Sequence, residues 1–276
     1  MVGAGQMGTG IAIVAARHGN CNVTLVDKFG ESLEKSRKFL TSWVAKEKAK
    51  GNNAENILSL INFEKFEVAD FTESQVVIEA VPEDLFLKGE VLAHVDKMIK
   101  SPDAIIATNT SSISITKLAA TTAHPERVVG LHFMNPVPVM PLVEVIRGLQ
   151  TSDATLQASI AFCKLLNKDP AVSLDRPGFI ANRLLMPYIN EAILSLQDGV
   201  ATRDDIDKIM KLGTNVPMGP LALADFIGLD TCLSIMRVLH SEFADSKYRP
   251  APLLVQMVDA GKLGKKTLCG FYSYKK

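Results

Sequence analysis

Gly3-Ala4-Gly5-Gln6-Met7-Gly8 opens an apolar segment, and Val23-Thr24-Leu25-Val26-Asp27 follows it within the span of one helix and one strand. Each glycine of this G-x-G-x-x-G spacing answers a physical need. The first permits a tight turn, the second lets backbone approach a pyrophosphate, and the third lets a helix pack closely on a strand. The helix read from Met7 to His18, ended by Gly19, presents unpaired N–H groups at its start, a ready site for phosphate. A glycine turn alone also closes ordinary strand-to-helix connections, so the motif draws its force from Asp27. That acid stands near the spacing of about 20 residues at which a carboxylate meets a ribose. A carboxylate there accepts from the ribose hydroxyls and repels a 2′-phosphate, which favours NAD over NADP. The plainer reading of Asp27 is a solvated turn residue at a strand end.

Outward from this unit the alternation continues. Val76 to Ala80, Ala104 to Thr108 and Val128 to His132 are continuous apolar runs, as in strands covered on both faces. Leu33 to Lys50, Leu85 to Lys100 and Asp153 to Asn167 read as helices, Leu142 to Ile146 as a further strand, and a short run follows near Val172. Strands alternating with helices predict an α/β fold with a Rossmann-like, mostly parallel sheet. From Pro177 the strand signal stops, and Phe179 to Gln197, Arg203 to Leu212, Leu229 to Phe243 and Leu253 to Ala260 all read as helix. Asp175-Arg176-Pro177-Gly178 punctuates the change, which predicts a dinucleotide-binding domain over 1–175 and an all-helical C-terminal domain over 176–276.

Composition narrows the function classes. Thirty basic residues balance thirty acidic ones, so no net field draws in nucleic acid or an anionic membrane. The hydrophobic share of 47% and charged share of 22% are those of a soluble globular protein. Cys21, Cys163, Cys232 and Cys269 lie far apart, in no metal-binding spacing, and read as reduced thiols with no metal site. No apolar run approaches the ~18 residues of a membrane span, and no targeting segment stands in the chain as given. The expected location is bacterial cytoplasm or mitochondrial matrix.

Within Gly130-Leu131-His132-Phe133-Met134-Asn135-Pro136 a histidine ends an apolar strand, and open α/β folds bind ligands in the crevice outside the carboxyl ends of their strands. Glu144 interrupts the apolar run Leu142-Val143-Glu144-Val145-Ile146, and a carboxylate in such a strand needs a partner. His132 is the candidate. An imidazole of ordinary pKa about 6.5 suits proton abstraction from a secondary alcohol, and a carboxylate behind it would fix its tautomer. The alternative is a satisfied core histidine. Glu79, Glu83, Asn109, Thr110, Ser111 and Ser112 cluster after two strands. Each serine taken alone, Ser114 included, reads as a helix N-cap.

Together these stretches, with Ile78-Glu79-Ala80, Ala107 to Ser112, Pro177-Gly178-Phe179-Ile180-Ala181-Asn182-Arg183, Pro217-Met218-Gly219-Pro220 and Gly270-Phe271-Tyr272, make the chain resemble the 3-hydroxyacyl-CoA dehydrogenases over essentially its whole length. The resemblance implies reversible, NAD-dependent oxidation of L-3-hydroxyacyl-CoA to 3-ketoacyl-CoA, with short-chain substrates, in fatty acid β-oxidation or butanoate metabolism. It makes His132 the general base and Glu144 its partner, and gives Ser111 and Asn182 to the substrate's 3-oxygen and thioester region. NAD contacts fall on the turn Gly3, Gly5, Gln6, Met7 and Gly8 and on Asp27, Glu83, Lys88, Ser111 and Asn135. The site is implied to lie in the cleft between the domains, and a homodimer to form through the helical one. The apolar helix positions Ile180, Leu184, Leu185, Tyr188, Ile189 and Ile193 suit such burial. Lys46, Lys48 and Lys50 read either as CoA neighbours or as a solvated face. A non-catalytic paralogue keeping the dinucleotide pocket would be expected to lose His132 or Glu144. A β-hydroxyacid reductase would carry a lysine where Asn182 and Arg183 stand. Two departures are expected to matter: only Met1 and Val2 precede the glycine turn to supply a central strand, and Leu268 stands where relatives carry glycine.

Overall fold

Val2 joins the sheet. In the computed structural model, which describes residues 1–52, 54 and 56–275, it bridges in parallel to Val26 on one side and Glu79 on the other. Val26 N–H donates to Met1 O at 2.8 Å, Gly3 N–H to Val26 O at 2.7 Å, Val2 N–H to Ile78 O at 2.9 Å and Ala80 N–H to Val2 O at 2.7 Å. The segment Met1–Gly3 thus pairs along both edges, between the strands that carry Val26 and Glu79. The α-amino group of Met1 donates to Thr24 O at 2.9 Å, and burial pushes its pKa down to about 5.

The described residues fall into two compact units, Met1–Arg176 and Pro177–Lys276. In the first, β1 (Val23–Asp27), β2 (Ile61–Lys65), β3 (Val76–Glu79), β4 (Ile105–Thr108), β5 (Val128–Phe133), β6 (Leu142–Arg147) and β7 (Asp169–Leu174) alternate with α1 (Gln6–Gly19), α2 (Gly30–Ala49), α3 (Ile57–Leu60), α4 (Leu85–Met98), α5 (Ile115–Ala119) and α6 (Asp153–Leu165). Across the sheet the order is β2, β1, the Met1–Gly3 segment, β3, β4, β5, β6, β7. Every pairing is parallel except β5 with β6. The mostly parallel α/β sheet expected from the alternation is therefore present, with one reversal that the apolar run of β6 did not announce. β2 also escaped the sequence reading. Its Ile61-Asn62-Phe63-Glu64-Lys65 buries only the first residue fully, because an edge strand is half solvated and carries no apolar run.

Residues of α1 (Ile11, Ile13, Val14), β1 (Leu25), β3 (Ile78), β4 (Ala107) and β5 (Val129, Leu131) form one buried cluster. Close approach of α1 to the sheet depends on its glycines. A Cβ at Gly8 would lie 1.8 Å from Gly3 O, and Gly3 itself holds φ at +102°, a region that favours glycine.

The second unit is helical: α7 (Ala181–Gln197), α8 (Arg203–Gly213), α9 (Pro220–Ile227), α10 (Leu229–Phe243) and α11 (Pro252–Asp259) enclose their own core, with Met186, Ile193, Leu221, Leu229, Leu233, Leu239 and Tyr248 at its centre. Two buried carboxylates fasten it. Asp207 accepts from Leu221 and Ala222 N–H at 2.8 and 2.9 Å, which caps α9, and Asp225 accepts from Phe271 and Tyr272 N–H at 2.9 and 2.8 Å, which ties down the C-terminal segment. Leu268 takes a left-handed φ of +60° there, a conformation that costs a β-carbon about 1–2 kcal/mol. No helix among the described residues is long and apolar enough to cross a membrane, and no cluster of acidic, histidine or cysteine side chains among them is arranged to hold a metal.

Gly8→Ala forces the methyl into the Gly3 carbonyl, so the turn must open. We expect a loss of about 2 kcal/mol in stability, read as a lower urea midpoint at unchanged m, together with weakened NADH binding by fluorescence.

Candidate active site

The reversal between β5 and β6 sets the centre of the site. Their antiparallel register places His132 directly opposite Glu144, and side chains so placed meet across the strands. His132 Nδ1 lies 2.7 Å from Glu144 Oε2, and both residues are buried, at 7% and 3% exposure. The buried carboxylate thus has the partner its desolvation demands. With Nδ1–H directed at Glu144, the lone pair falls on Nε2, which faces Ser111 Oγ at 3.2 Å. In that tautomer Nε2 is able to accept a hydrogen bond from a hydroxyl placed beside it.

Ser111 is aimed by Glu83. Oε1 of Glu83 accepts from Thr110 Oγ1 at 2.6 Å, from Ser111 N–H at 2.9 Å, from Ser112 N–H at 3.0 Å and from Ser112 Oγ at 3.1 Å. One carboxylate oxygen therefore gathers the whole turn after β4. Behind it Lys88 Nζ lies 3.4 Å from Glu83 Oε2 and donates to Glu79 at 2.8 and 3.1 Å and to Val81 O at 3.1 Å. Glu79 also accepts from Thr108 Oγ1 and Val81 N–H, both at 2.6 Å. Lys88 and Glu79 are buried, a charge pair with its remaining hydrogen-bonding capacity met, as a buried pair requires.

Helix capping is corrected in part. Ser114 does cap α5, accepting from Lys117 N–H at 3.2 Å, and Asp84 caps α4, accepting from Leu87 N–H at 2.8 Å. Ser112 instead donates to Glu83, because donors and acceptor far apart in sequence converge where two strands end. Glu79, Thr108 and Thr110 were visible in the sequence only as polar residues near strand ends.

At the other end, Asp27 is held ready. Its Oδ2 accepts from Ala4 N–H and its Oδ1 from Phe29 N–H, each at 2.8 Å, so the carboxylate stands at the glycine turn with further acceptor capacity outward. Gly5 precedes α1 in extended backbone without a capping side chain, and a Cβ there would meet nothing within 4 Å, which leaves the helix N-terminus open to a pyrophosphate. Gln6 Nε2 donates to Asn135 Oδ1 at 3.0 Å, linking this turn to the one that follows His132. The first unit thereby gathers Gly3, Gly5, Gln6, Met7, Gly8, Asp27, Glu83, Ser111, His132 and Asn135 about the carboxyl ends of β1, β3, β4 and β5, with Glu144 reaching His132 from the amino-terminal half of the reversed β6 and Lys88 beneath Glu83. Asn182 belongs to the second unit, buried in the first turn of α7.

Burial raises the pKa of the Glu83 carboxyl, but the Lys88 ammonium and the Thr110, Ser111 and Ser112 donors outweigh it and hold the group below its ordinary 4.5. A depressed carboxyl contributes stability that is present above the unfolded-state value and is lost as pH falls through the folded one. Acid titration below pH 4.5 should therefore release the 110–112 turn. Glu83→Gln should abolish that acid step, measured by hydrogen exchange of the Ser111 and Ser112 amides.

Residues 1–176 match the family described as 3-hydroxyacyl-CoA dehydrogenase, NAD binding domain, and residues 178–274 its C-terminal domain. The chain is 50% identical to the 3-hydroxybutyryl-CoA dehydrogenase of Bradyrhizobium diazoefficiens, over 100% of this chain and 94% of that one. It is 41% identical to the mitochondrial hydroxyacyl-coenzyme A dehydrogenase of Mus musculus, over 100% of this chain and 90% of the other. Among solved structures, the (S)-3-hydroxybutyryl-CoA dehydrogenase of Ralstonia eutropha superposes with a TM-score of 0.94 at 48% identity, covering 100% of this chain and 98% of that one.

Proposed function

We propose that this chain, which belongs to the 3-hydroxyacyl-CoA dehydrogenase family and is an NAD-dependent oxidoreductase, removes the substrate's hydroxyl proton with His132 while Glu144 holds the imidazole and balances its charge. The observation that carries this reading is the 2.7 Å contact between His132 Nδ1 and Glu144 Oε2, which leaves Nε2 as the accepting atom.

Oxidation of a 3-hydroxyacyl thioester removes a proton from oxygen and a hydride from C3. NAD held at the glycine turn would supply the hydride acceptor. The proton passes to His132 Nε2, and the imidazolium that results sits against a buried carboxylate that never leaves its place. Ser111 Oγ, within hydrogen-bonding distance of Nε2, serves the substrate's 3-oxygen with a donor set in advance, so the developing carbonyl needs no reorganisation. Asn182 is proposed to serve the thioester region. In the reverse direction His132 returns the proton.

For the cofactor, the residues fit NAD: the open N-terminus of α1 for the pyrophosphate, Asp27 for the ribose hydroxyls, and Glu83, Ser111 and Asn135 toward the nicotinamide, with buried Lys88 acting through Glu83. A carboxylate at position 27 repels a 2′-phosphate. The substrate is proposed to be short-chain and of L configuration, supported by high identity to relatives named for 3-hydroxybutyryl-CoA. A homodimer through the helical unit is supported by apolar side chains left exposed on it, Leu184 at 67%, Val200 at 75%, Ile209 at 62% and Leu212 at 72%.

His132→Ala should lower kcat by about 10²–10⁴ with NADH binding unchanged, and Glu144→Gln should lower it by a similar order with the fold intact. Oxidation of NADH by acetoacetyl-CoA measures both, and near-normal turnover of either variant removes that residue from its role. Asp27→Ser should narrow the ratio of kcat/KM for NADH over NADPH by about tenfold or more, one charge contact at a cofactor hydroxyl being worth about 1.4 kcal/mol.

A further inference from the structure

Two lysines are buried among the described residues, and they differ in kind. Lys88 faces Glu79, whereas Lys168 meets backbone alone: its Nζ donates to Val137 O at 2.6 Å and to Met140 O at 2.8 Å. Lys168 stands immediately before β7, after Asn167 in a left-handed φ of 55°. Its own N–H donates to Cys163 O at 3.0 Å, and the next residue's N–H to Pro141 O at 2.9 Å. The base of the side chain is therefore fixed, and burial draws the ammonium below its ordinary pKa.

The carbonyls it grasps belong to the connection between β5 and β6. That turn is closed from within by Val139 and Met140 N–H, both donating to Pro136 O at 3.0 Å. It leaves the sheet after Phe133, one residue past His132, and soon reaches Asn135, whose Oδ1 accepts from Gln6 in the glycine turn. On its far side the Val137 side chain is buried at 2% exposure and rests on α1, where a Cβ at Gly10 would come within 2.9 Å of Val137 Cβ. α1 thus presses the turn from one side and Lys168 draws its carbonyls from another. A buried ammonium is an expensive way to hold a turn. Its use here points to a geometry that must be kept rather than to stability alone, since an apolar residue would serve burial better.

We propose that Lys168 is a positioning residue for the cofactor: by clasping the carbonyls of Val137 and Met140 it fixes the turn over 136–140 and so sets the Asn135 amide against the glycine turn. The inference rests on the reading of Asn135 as a contact to NAD. Without the ammonium the two carbonyls lose their donors, the turn relaxes, and the Asn135 amide drifts from Gln6 while His132 and Glu144, fastened in β5 and β6, stay in place.

The test is a double-mutant cycle on the full chain, with NADH affinity read by fluorescence and with KM for acetoacetyl-CoA, kcat and thermal midpoint measured alongside. Lys168→Met should weaken NADH binding by about tenfold, Asn135→Ala by a similar factor, and the double variant no more than either alone, because coupled residues are not additive. KM for acetoacetyl-CoA should hold within about twofold in Lys168→Met. Lys168→Gln, which keeps a shorter donor, should show a smaller loss and carries the test should Lys168→Met not fold. Unchanged NADH affinity in Lys168→Met or Lys168→Gln, with Asn135→Ala impaired, overturns the role of Lys168 and leaves the reading of Asn135 standing. Multiplying effects in the double variant, or a lowered thermal midpoint with NADH affinity intact, overturn it as well. Asn135→Ala with normal NADH affinity defeats the underlying reading instead.

Discussion

A buried carboxylate facing a buried imidazole across two antiparallel strands is the contact on which the site depends. A carboxylate out of water needs a hydrogen-bond partner to offset its desolvation, and the Glu144 contact to His132 Nδ1 at 2.7 Å supplies one. The pairing of Glu144 with His132 therefore satisfies the buried carboxylate, and in the proposed mechanism it also fixes one ring nitrogen so that the other accepts the proton.

Around that pair the first unit repeats one device: a charged group gathers backbone from several strand ends and holds it still. Glu83 collects the donors of the 110–112 turn and thereby aims Ser111. Glu79 and Lys88 brace Glu83 from below, Asp27 ties the glycine turn to the end of β1, and Lys168 closes the turn after His132. Polar groups at strand ends are preorganised in this way without relying on regular secondary structure. Groups held still in this way meet the condition under which much of an enzyme's electrostatic advantage arises. The sheet carries it because Met1–Gly3, short as it is, joins β1 to β3 and so keeps the glycine turn, Asp27 and Glu79 in one frame.

Local pattern was enough to read the alternation of strands and helices, the glycine turn, Asp27 and the change of regime near Pro177, for each of these depends on neighbours close in the chain. Continuous β-branched runs mark strands covered on both faces. A glycine spacing reports backbone geometry directly, and a lone carboxylate in an apolar strand advertises a partner. β2 was not legible, since an edge strand with polar residues carries no such signature. Ser112 looked like a helix cap, because a cap and a long-range clamp draw on the same residue type.

The amino-acid sequence by itself determined most of the elements and the cofactor class, which follow from short-range periodicity and residue chemistry; its motifs carried the family resemblance and singled out His132 and Glu144 as the candidate acid–base pair. Only the tertiary structure decided that β6 runs against β5, so that His132 and Glu144 face each other in register, and that Glu83, Lys88 and Lys168 reach across the chain to hold the turns of the site. Strand direction and long-range hydrogen bonds are set by how whole elements pack. An apolar run reads the same in either direction, and a lysine beyond a helix end looks solvated until the fold closes over it.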